Sequence, residues 1–206
     1  MGHHVSEATT GLYGLLRSPW IYELVQTIFG AEKDRTIFAR DHIGARSGDR
    51  VLDIGCGPGE LVRYLPAITY VGYEPNLAYI ERANIRFPNA EFHAKLFEES
   101  DLPRHAPFDI AILSAVLHHM NDDEAMTLFR MLKRALKPGG RVVSQDPVFI
   151  PDQNPIARFL ISIDRGRNVR TPDDYCRLAR SAFVNCYGKL MHRSLPPYTR
   201  WIMTAQ

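Results

Sequence analysis

The sequence has few cysteines, little net charge and no long apolar run. Its three cysteines, Cys56, Cys176 and Cys186, are odd in number and lack CxxC spacing, so neither a disulfide framework nor a zinc site is expected. The 25 Lys and Arg against 23 Asp and Glu leave a formal charge of +2, too weak for a dedicated nucleic-acid or membrane-surface binder. No apolar run approaches the roughly 18 residues that a bilayer-spanning helix needs. These absences favour a small-molecule partner.

Length and composition are those of an average globular protein. With 206 residues, 45% of them hydrophobic and 23% charged, the chain is long enough for one large core. Arg17 and Glu23 interrupt the apolar stretch near the N-terminus, and no cleavage pattern of small residues follows. Together with the cysteine usage, this predicts a protein of the reducing cytoplasm. Whether the protein is a monomer or a homodimer stays open.

Short apolar strands alternate with helices through the first two thirds of the chain. The predicted strands are 50–55, 68–73, 90–94, 109–114 and 141–145, and the predicted helices are 17–43 in two parts, 58–65, 76–86 and 121–136. Such alternation implies a parallel sheet with helices on both faces. The final third differs, with amphipathic helices predicted at 156–163 and 171–182. Strands predicted at 183–191 and 198–203 would form an antiparallel pair that closes one sheet edge.

The helix over 121–136 has the clearest signals. Ala125, Phe129 and Leu132 share one apolar face. Asn121 and Glu124 have the spacing of a capping box, in which each side chain accepts a hydrogen bond from the other residue's backbone N–H.

A glycine-rich loop at residues 53–60, Asp-Ile-Gly-Cys-Gly-Pro-Gly-Glu, lies between the first of these strands and a helix. Glycines let a ligand approach the backbone closely, and a helix start offers free N–H groups to polar ligand atoms. The second strand ends in Glu74, at the spacing expected of a carboxylate that accepts hydrogen bonds from a ribose. The pattern therefore predicts a ligand that contains a nucleoside.

Two other nucleotide loops do not fit. The dinucleotide fingerprint requires Gly or Ala where Glu60 stands, and no Tyr-xxx-Lys pair offers a dehydrogenase proton relay. No Gly-Lys-Ser/Thr follows, which excludes a P-loop. The array resembles instead the class I S-adenosylmethionine-dependent methyltransferases. Four motifs carry the resemblance, in chain order, at residues 51–60, 71–75, 108–120 and 136–143.

The resemblance implies an α/β, doubly wound, mostly parallel seven-stranded sheet with an antiparallel C-terminal edge, the Rossmann-like methyltransferase fold. We expect a single domain over 1–206. It would comprise an N-terminal helical cover at 1–45, a cofactor-binding core at 46–147, a substrate-cover insertion and helix at 148–182, and closing strands at 183–206.

The resemblance also implies a set of residues that bind S-adenosylmethionine. Gly55 and Gly57 would run along the methionine part, Glu74 would hold the ribose hydroxyls, and Phe97 would pack on the adenine. Leu96 stands where the family commonly has an acidic residue for the adenine amino group. The remaining expected cofactor residues are Asp53, Pro75, Ser114, Ala115, Val116 and Tyr13. For Asp53 the alternative is that it braces the loop through backbone hydrogen bonds.

Methyl transfer from a sulfonium is an in-line displacement, so orientation and exclusion of water can supply much of the rate, and a base is optional. His118 and Asp146 follow the fourth and fifth strands at the expected active edge and are the candidate catalytic residues, with His119 a weaker one. Arg165 and Tyr22 are the candidate substrate contacts.

Arginines in the 148–182 segment would suit an anionic acceptor, but they fit equally well as surface ion pairs. The arginines concerned are Arg158, Arg165, Arg167, Arg170, Arg177 and Arg180. The predicted function is methyl transfer to O or N of a small molecule, without a metal and without nucleic-acid or membrane partners. The alternatives are an RNA methyltransferase, a non-catalytic cofactor-binding subunit and, least favoured, a dehydrogenase.

Overall fold

The computed structural model of the protein describes residues 31–163, 166–194 and 197–206. The strands are β1 Arg50–Ile54, β2 Thr69–Tyr73, β3 Glu91–His93, β4 Phe108–Ser114, β5 Leu136–Pro147, β6 Cys186–Ser194 and β7 Pro197–Ala205. The α-helices are α1 Ala31–Ile37, α2 Leu77–Arg86, α3 Leu102–His105, α4 Asp122–Ala135, α5 Pro155–Ser162 and α6 Pro172–Ala179. A π-helical turn, Phe38–Ile43, continues α1, and single 3₁₀ turns cover Glu60–Tyr64, Glu99–Asp101 and Leu117–His119.

The seven strands form one sheet in the order β3-β2-β1-β4-β5-β7-β6. The first five are parallel, and β7 runs antiparallel to both β5 and β6. The predicted fold class is therefore confirmed. Strand order reverses between β1 and β4, where Ile54 pairs with Leu113 near the carboxyl ends of both strands. In open α/β sheets, ligands bind in the crevice at such a switch point.

Both faces of the central strands are buried. Leu52 and Leu113 face one way and pack in the cluster that contains Phe129 of α4. Val51 and Ile112 face the other way and belong to the second cluster. Burial on both faces explains why β1 and β4 are continuous apolar runs instead of alternating patterns.

The capping box of α4 is confirmed. Asn121 Oδ1 accepts a hydrogen bond from the Glu124 N–H at 3.0 Å, and Glu124 Oε2 accepts one from the Asn121 N–H at 2.8 Å. This fixes where the chain leaves the turn after β4. Among the helices that the structure describes, none combines the length and the apolar character needed to cross a bilayer.

Two local predictions were wrong, and one short turn and helix were not predicted. The predicted helix 58–65 is a single 3₁₀ turn, since Gly59 precedes it with a left-handed φ of 73°. Strand β5 begins at Leu136, five residues before the predicted 141. The turn and helix over 99–105 have no apolar periodicity long enough to detect from the sequence.

The expectation of unpaired cysteines was also wrong, because Cys176 and Cys186 form a disulfide. The bond joins α6 to β6, with Cα atoms 5.6 Å apart and a separation of 10 positions along the chain. Neither residue belongs to a short sequence motif, so only the packing of α6 beside β6 brings the two thiols together. The cysteine-based argument for a reducing compartment therefore no longer holds, and the cytoplasmic location stays a prediction.

Arg170 connects the 148–182 segment to the turn after β4. Its guanidinium donates to the carbonyl oxygens of Leu117, Asn168 and Met120 at 2.7–2.9 Å and to the Asp122 carboxylate at 2.8 and 3.0 Å. The side chain is buried. Because all of these donors are engaged within the fold, the structure favours the ion-pair alternative for Arg170 over a contact with an anionic acceptor.

We predict that Arg170→Lys lowers the free energy of unfolding by about 1–3 kcal/mol. A lysine ammonium keeps the charge but cannot reach three carbonyls and a carboxylate at once, so buried acceptors lose their donors. Arg177→Lys is the matched control, because Arg177 also pairs with Asp122 but is 57% exposed, and we expect a change below about 1 kcal/mol. Urea unfolding measures both values. Equal effects of the two substitutions would contradict the role assigned to Arg170.

Candidate active site

A cleft of about 290 Å³ opens where the carboxyl ends of β1, β2 and β4 meet. It is near the lower end of the range for small-molecule sites, about 300–1,000 Å³. Its walls combine residues of the first three sequence motifs with residues 95–97, and the fourth motif, 136–143, contributes none. The lining residues are Ile54, Gly55, Tyr73, Glu74, Pro75, Lys95, Leu96, Phe97, Ala115, Val116, His119 and Met120.

The glycine loop turns sharply because Gly55, Gly57 and Gly59 all have left-handed φ angles, between 53° and 73°. The N–H groups of Gly55 and Cys56 donate to the Tyr73 carbonyl at 2.7 and 3.1 Å, which holds the loop against β2. A Cβ at Gly55 would lie 2.7 Å from Cγ2 of Val116 across the cleft. A Cβ at Gly57 would meet nothing within 4 Å, so open space adjoins that backbone, although Gly57 is not among the residues that line the cleft.

Glu74 lies at the end of β2 with its carboxylate held in place. Its Oε1 accepts a hydrogen bond from the Asn76 N–H at 2.9 Å, and its own N–H donates to the His93 carbonyl at 3.0 Å. Asn76 also caps α2 through a bond from the Ala78 N–H. The same local turn therefore starts α2 and orients the Glu74 carboxylate toward the cleft.

The wall opposite the glycine loop follows β4. Ala115 has a left-handed φ of 58°, unusual for a residue with a Cβ, and its N–H donates to the Gln145 carbonyl at 2.8 Å. Ser114 does not line the cleft. Its hydroxyl accepts a hydrogen bond from the Gln145 amide at 2.8 Å. Residues Ala115 and Val116 are thus brought to the cleft as predicted, and Ser114 supports them from behind.

Asp53 lies beneath the loop and does not line the cleft. It is 1% exposed, and its Oδ2 accepts a hydrogen bond from the Tyr70 hydroxyl at 2.6 Å, while no partner for Oδ1 exists among the described residues. Burial raises the pKa of Asp53 to about 7, although the Tyr70 hydrogen bond opposes this shift. The hydroxyl partner comes from β2, which differs from the loop-backbone bracing considered from the sequence.

Phe97 and Leu96 form the apolar end of the cleft. Phe97 is buried and packs edge-on against Tyr73, with ring centroids 5.0 Å apart, whereas Leu96 is 63% exposed. A second cleft of about 370 Å³ shares Ile54, Leu96, Phe97 and Met120 and continues along α4. A flat apolar group can lie against this end, and among the lining residues of the first cleft only Glu74 carries an acidic side chain.

His118 and Asp146, predicted as separate candidates, form one buried pair. The His118 Nδ1 lies 2.8 Å from Asp146 Oδ1, and the His118 backbone N–H donates to the same oxygen at 3.2 Å. Burial raises the pKa of Asp146, and the hydrogen bonds from His118 oppose this shift. With Nδ1 directed at the carboxylate, Nε2 is the nitrogen that can accept a proton.

His119, the weaker candidate, lines the cleft, whereas His118 is 3% exposed and lies behind it. The two rings are 4.0 Å apart between centroids. Gly166 covers His118 so closely that a Cβ there would overlap the imidazole, and the Asn168 N–H donates to the His118 carbonyl at 3.0 Å. The 148–182 segment therefore covers His118, whereas His119 remains exposed.

The structure also brings to the cleft two residues that were not among the predicted site residues. Lys95 lies outside the four motifs and Met120 ends the third one; both line the cleft, and Lys95 pairs with Asp101 at 2.7 Å. Lys95 lies two residues after β3. Because ligands bind at the carboxyl ends of parallel strands, this position could have predicted it. The candidates Tyr13, Tyr22 and Arg165 lie outside the described residues.

A family of methyltransferase domains matches residues 28–182, three quarters of the chain. The chain therefore belongs to the methyltransferase-domain family. Together with the sheet order, this confirms the predicted resemblance to the class I S-adenosylmethionine-dependent methyltransferases, whose cofactor is S-adenosylmethionine.

Similar proteins include several methyltransferases. An uncharacterized methyltransferase of Synechocystis is 32% identical over 129 residues, 59% of this chain and 60% of the relative. The 27-O-demethylrifamycin SV methyltransferase of Amycolatopsis mediterranei is 38% identical over 114 residues, 52% of this chain and 41% of the relative. The chain thus spans roughly half the length of these curated relatives.

Solved structures share the fold. The complex of DhpI with SAH superposes with a TM-score of 0.65 over 95% of this chain and 93% of DhpI, at 18% identity. At that identity the likeness concerns the fold alone.

We predict that the stability contributed by Asp53 falls as the pH rises. Its native pKa of about 7 exceeds the usual 3.8, so the folded protein holds a proton that the unfolded chain releases. This contribution is present below about pH 4 and is lost through pH 7, a change of up to about 4 kcal/mol. In Asp53→Asn, the free energy of unfolding relative to wild type should therefore increase with pH. Urea unfolding at pH 4.5, 6 and 8 measures this difference.

Asp173→Asn is the control for this measurement, because Asp173 is exposed at the start of α6. Its free energy of unfolding should follow that of the wild type across the same pH range. A constant difference between Asp53→Asn and wild type would show that Asp53 is ionised in the native protein.

Proposed function

We propose that this protein transfers a methyl group from S-adenosylmethionine to an oxygen or nitrogen atom of a small molecule. The observation that carries the proposal is that one cleft at the β1/β4 switch point contains Gly55, Glu74 and the turn Ala115–Val116. These are the positions at which the family motifs place cofactor contacts. The alternatives, an RNA methyltransferase and a non-catalytic cofactor-binding subunit, are outcomes of the test below.

The cleft fits the cofactor by the chemistry of its walls. The open space beside Gly57 suits the methionine part of the cofactor, and the Glu74 carboxylate suits two ribose hydroxyls. Phe97, Leu96 and Pro75 offer an apolar place for the adenine. Asp53 supports the loop from below, and its negative form would be favoured by a positively charged amino group bound nearby.

When bound, S-adenosylmethionine would supply a methyl carbon for in-line attack by the acceptor atom, with the carbon–sulfur bond breaking and S-adenosylhomocysteine leaving. The contribution of this chain is to hold the acceptor in line and to exclude water, effects worth on the order of 7–11 kcal/mol in favourable cases. Where the acceptor is a hydroxyl, a base must take its proton. We assign this role to His118 Nε2, with Asp146 holding the ring in the required tautomer.

The acceptor site is assigned to the space beneath the 148–182 segment. Two relatives are named for methylation of small molecules: the rifamycin enzyme and the acetylserotonin O-methyltransferase of Mus musculus, 30% identical over 191 residues. An anionic acceptor is the finer proposal, and it rests on Arg165, since Arg170 and Arg177 are engaged with Asp122. We further propose a monomer or homodimer in the cytoplasm.

The experiment is incubation of the protein with cofactor carrying an isotopically labelled methyl group and a metabolite extract, followed by mass spectrometry of the products. A labelled small molecule supports the proposal. Cofactor binding without any labelled product would favour the binding-subunit alternative, and label found only in added RNA would favour the RNA alternative.

We predict that Glu74→Ala weakens cofactor binding by about 1.5–3 kcal/mol, because the ribose loses hydrogen bonds to a charged acceptor. Calorimetry measures the affinity. Glu81→Ala, an exposed carboxylate on α2, is the matched control and should bind as the wild type does. Unchanged affinity in Glu74→Ala would refute the ribose role.

We predict that His118→Gln lowers kcat by about 10²–10⁴-fold on a hydroxyl acceptor and leaves cofactor affinity unchanged. The glutamine amide keeps a polar side chain at this position but cannot take the proton of a hydroxyl. His119→Gln is the control, because it alters the neighbouring ring that lines the cleft. Retained kcat in His118→Gln would show that orientation alone supplies the rate.

A further inference from the structure

A cluster of potential metal ligands lies at the β3 edge of the sheet, away from the histidine pair. Glu91 and His93 project from the same face of β3, and His105 ends α3. One carboxylate oxygen and one nitrogen from each imidazole all lie within 4.8 Å of one another. Glu91 Oε1 is 3.0 Å from His93 Nε2, and Glu91 Oε2 is 3.8 Å from His105 Nδ1.

The two imidazoles leave polar atoms unsatisfied. His105 is 4% exposed, and its Nε2 is buried with no hydrogen-bond partner in the part of the chain that the structure describes. His93 Nε2 is buried as well, and its contact with Glu91 lacks hydrogen-bond geometry. A buried polar atom without a partner costs roughly 1–3 kcal/mol. Such an atom in a native protein calls for an explanation, and an ion is one of the standard ones.

We propose that Glu91, His93 and His105 bind a divalent transition-metal ion, with Zn²⁺ as the best match. Two imidazoles and one carboxylate are a ligand set that Zn²⁺ accepts, with water in the fourth position of the tetrahedron. Glu91 is 45% exposed, so its side of the cluster is open to that water and to entry of the ion. Ligands about 2.0–2.1 Å from a tetrahedral Zn²⁺ lie about 3.3 Å from one another. The 3.0 Å contact is already near this separation, whereas ligand atoms up to 4.8 Å apart must move closer through side-chain rotation.

The charges around the cluster are compatible with a cation. Arg104 is the competing cation, with Nη2 4.0 Å from Glu91 Oε1, but its side chain is 71% exposed and can move into solvent.

An ion here would stabilise one wall of the cofactor cleft. The His93 ring stacks on Tyr73 with centroids 4.6 Å apart, and Tyr73 lines the cleft. His105 meets the same tyrosine edge-on, with centroids 6.1 Å apart. The ion would join the edge strand β3 to α3 behind that ring, which makes it a structural site and not a participant in methyl transfer.

The test titrates Zn²⁺ into the full chain carrying His3→Gln and His4→Gln, so that the N-terminal histidine pair contributes no binding. Calorimetry gives stoichiometry and affinity, thermal unfolding gives Tm, and Co²⁺ absorption reports the coordination geometry. Glu91→Gln and His93→Gln are made in this background, and Glu81→Gln is the matched control on an exposed carboxylate. Unfolding of each variant without metal verifies that it is folded.

We expect one equivalent of Zn²⁺ per chain, a rise in Tm of several degrees at saturation, and a tetrahedral Co²⁺ spectrum. Glu91→Gln and His93→Gln should each weaken binding by about tenfold or more, because a ligand is lost, whereas Glu81→Gln should not. The absence of stoichiometric binding in the background protein would overturn the proposal. Equal affinity in Glu91→Gln and Glu81→Gln would do the same.

Discussion

The pairing of β1 with β4 at the centre of the sheet is the constraint on which the rest of the structure depends. Both strands are buried on both faces, so most of their side chains are apolar, and their parallel register places Ile54 beside Leu113. Strand order reverses at this pair, and the chain must therefore leave both strands at the same edge in opposite directions. The glycine loop and the turn at Ala115 are the two exits, and the cleft is the space between them.

Polar contacts behind the cleft hold these exits in place. Gln145 of β5 binds Ser114 and Ala115, and Asp146 binds both the backbone and the ring of His118. Arg170 then binds the carbonyls of the same turn from the opposite side. His118 follows β4, but its position depends on Asp146 and Arg170, which belong to the C-terminal third of the chain. This dependence explains why the segment after β5 can both cover the site and fix its geometry.

Much of the cofactor cleft was predictable because its signals are local. A glycine loop between a strand and a helix, and a carboxylate at the end of the next strand, have a fixed relation to the sheet once the strands are parallel. Gly55, Glu74, Pro75, Phe97, Ala115 and Val116 line the cleft as predicted. Asp53 and Ser114 belong to the same motifs but point away from the cleft. Alternation along a strand determines which side a residue faces, and their partners, Tyr70 and Gln145, come from neighbouring strands.

The sequence by itself determined the order of the strands along the chain and the chemistry of the glycine loop, because each depends on periodicity or on spacing within one short segment. Only the tertiary structure decided which distant side chains meet. His118 and Asp146 are 28 residues apart, Arg170 and Leu117 are 53 apart, and the disulfide joins two different elements. Such pairs carry no local pattern, since a buried group is paired by whatever the packing of the sheet and its covering helices brings within hydrogen-bonding distance.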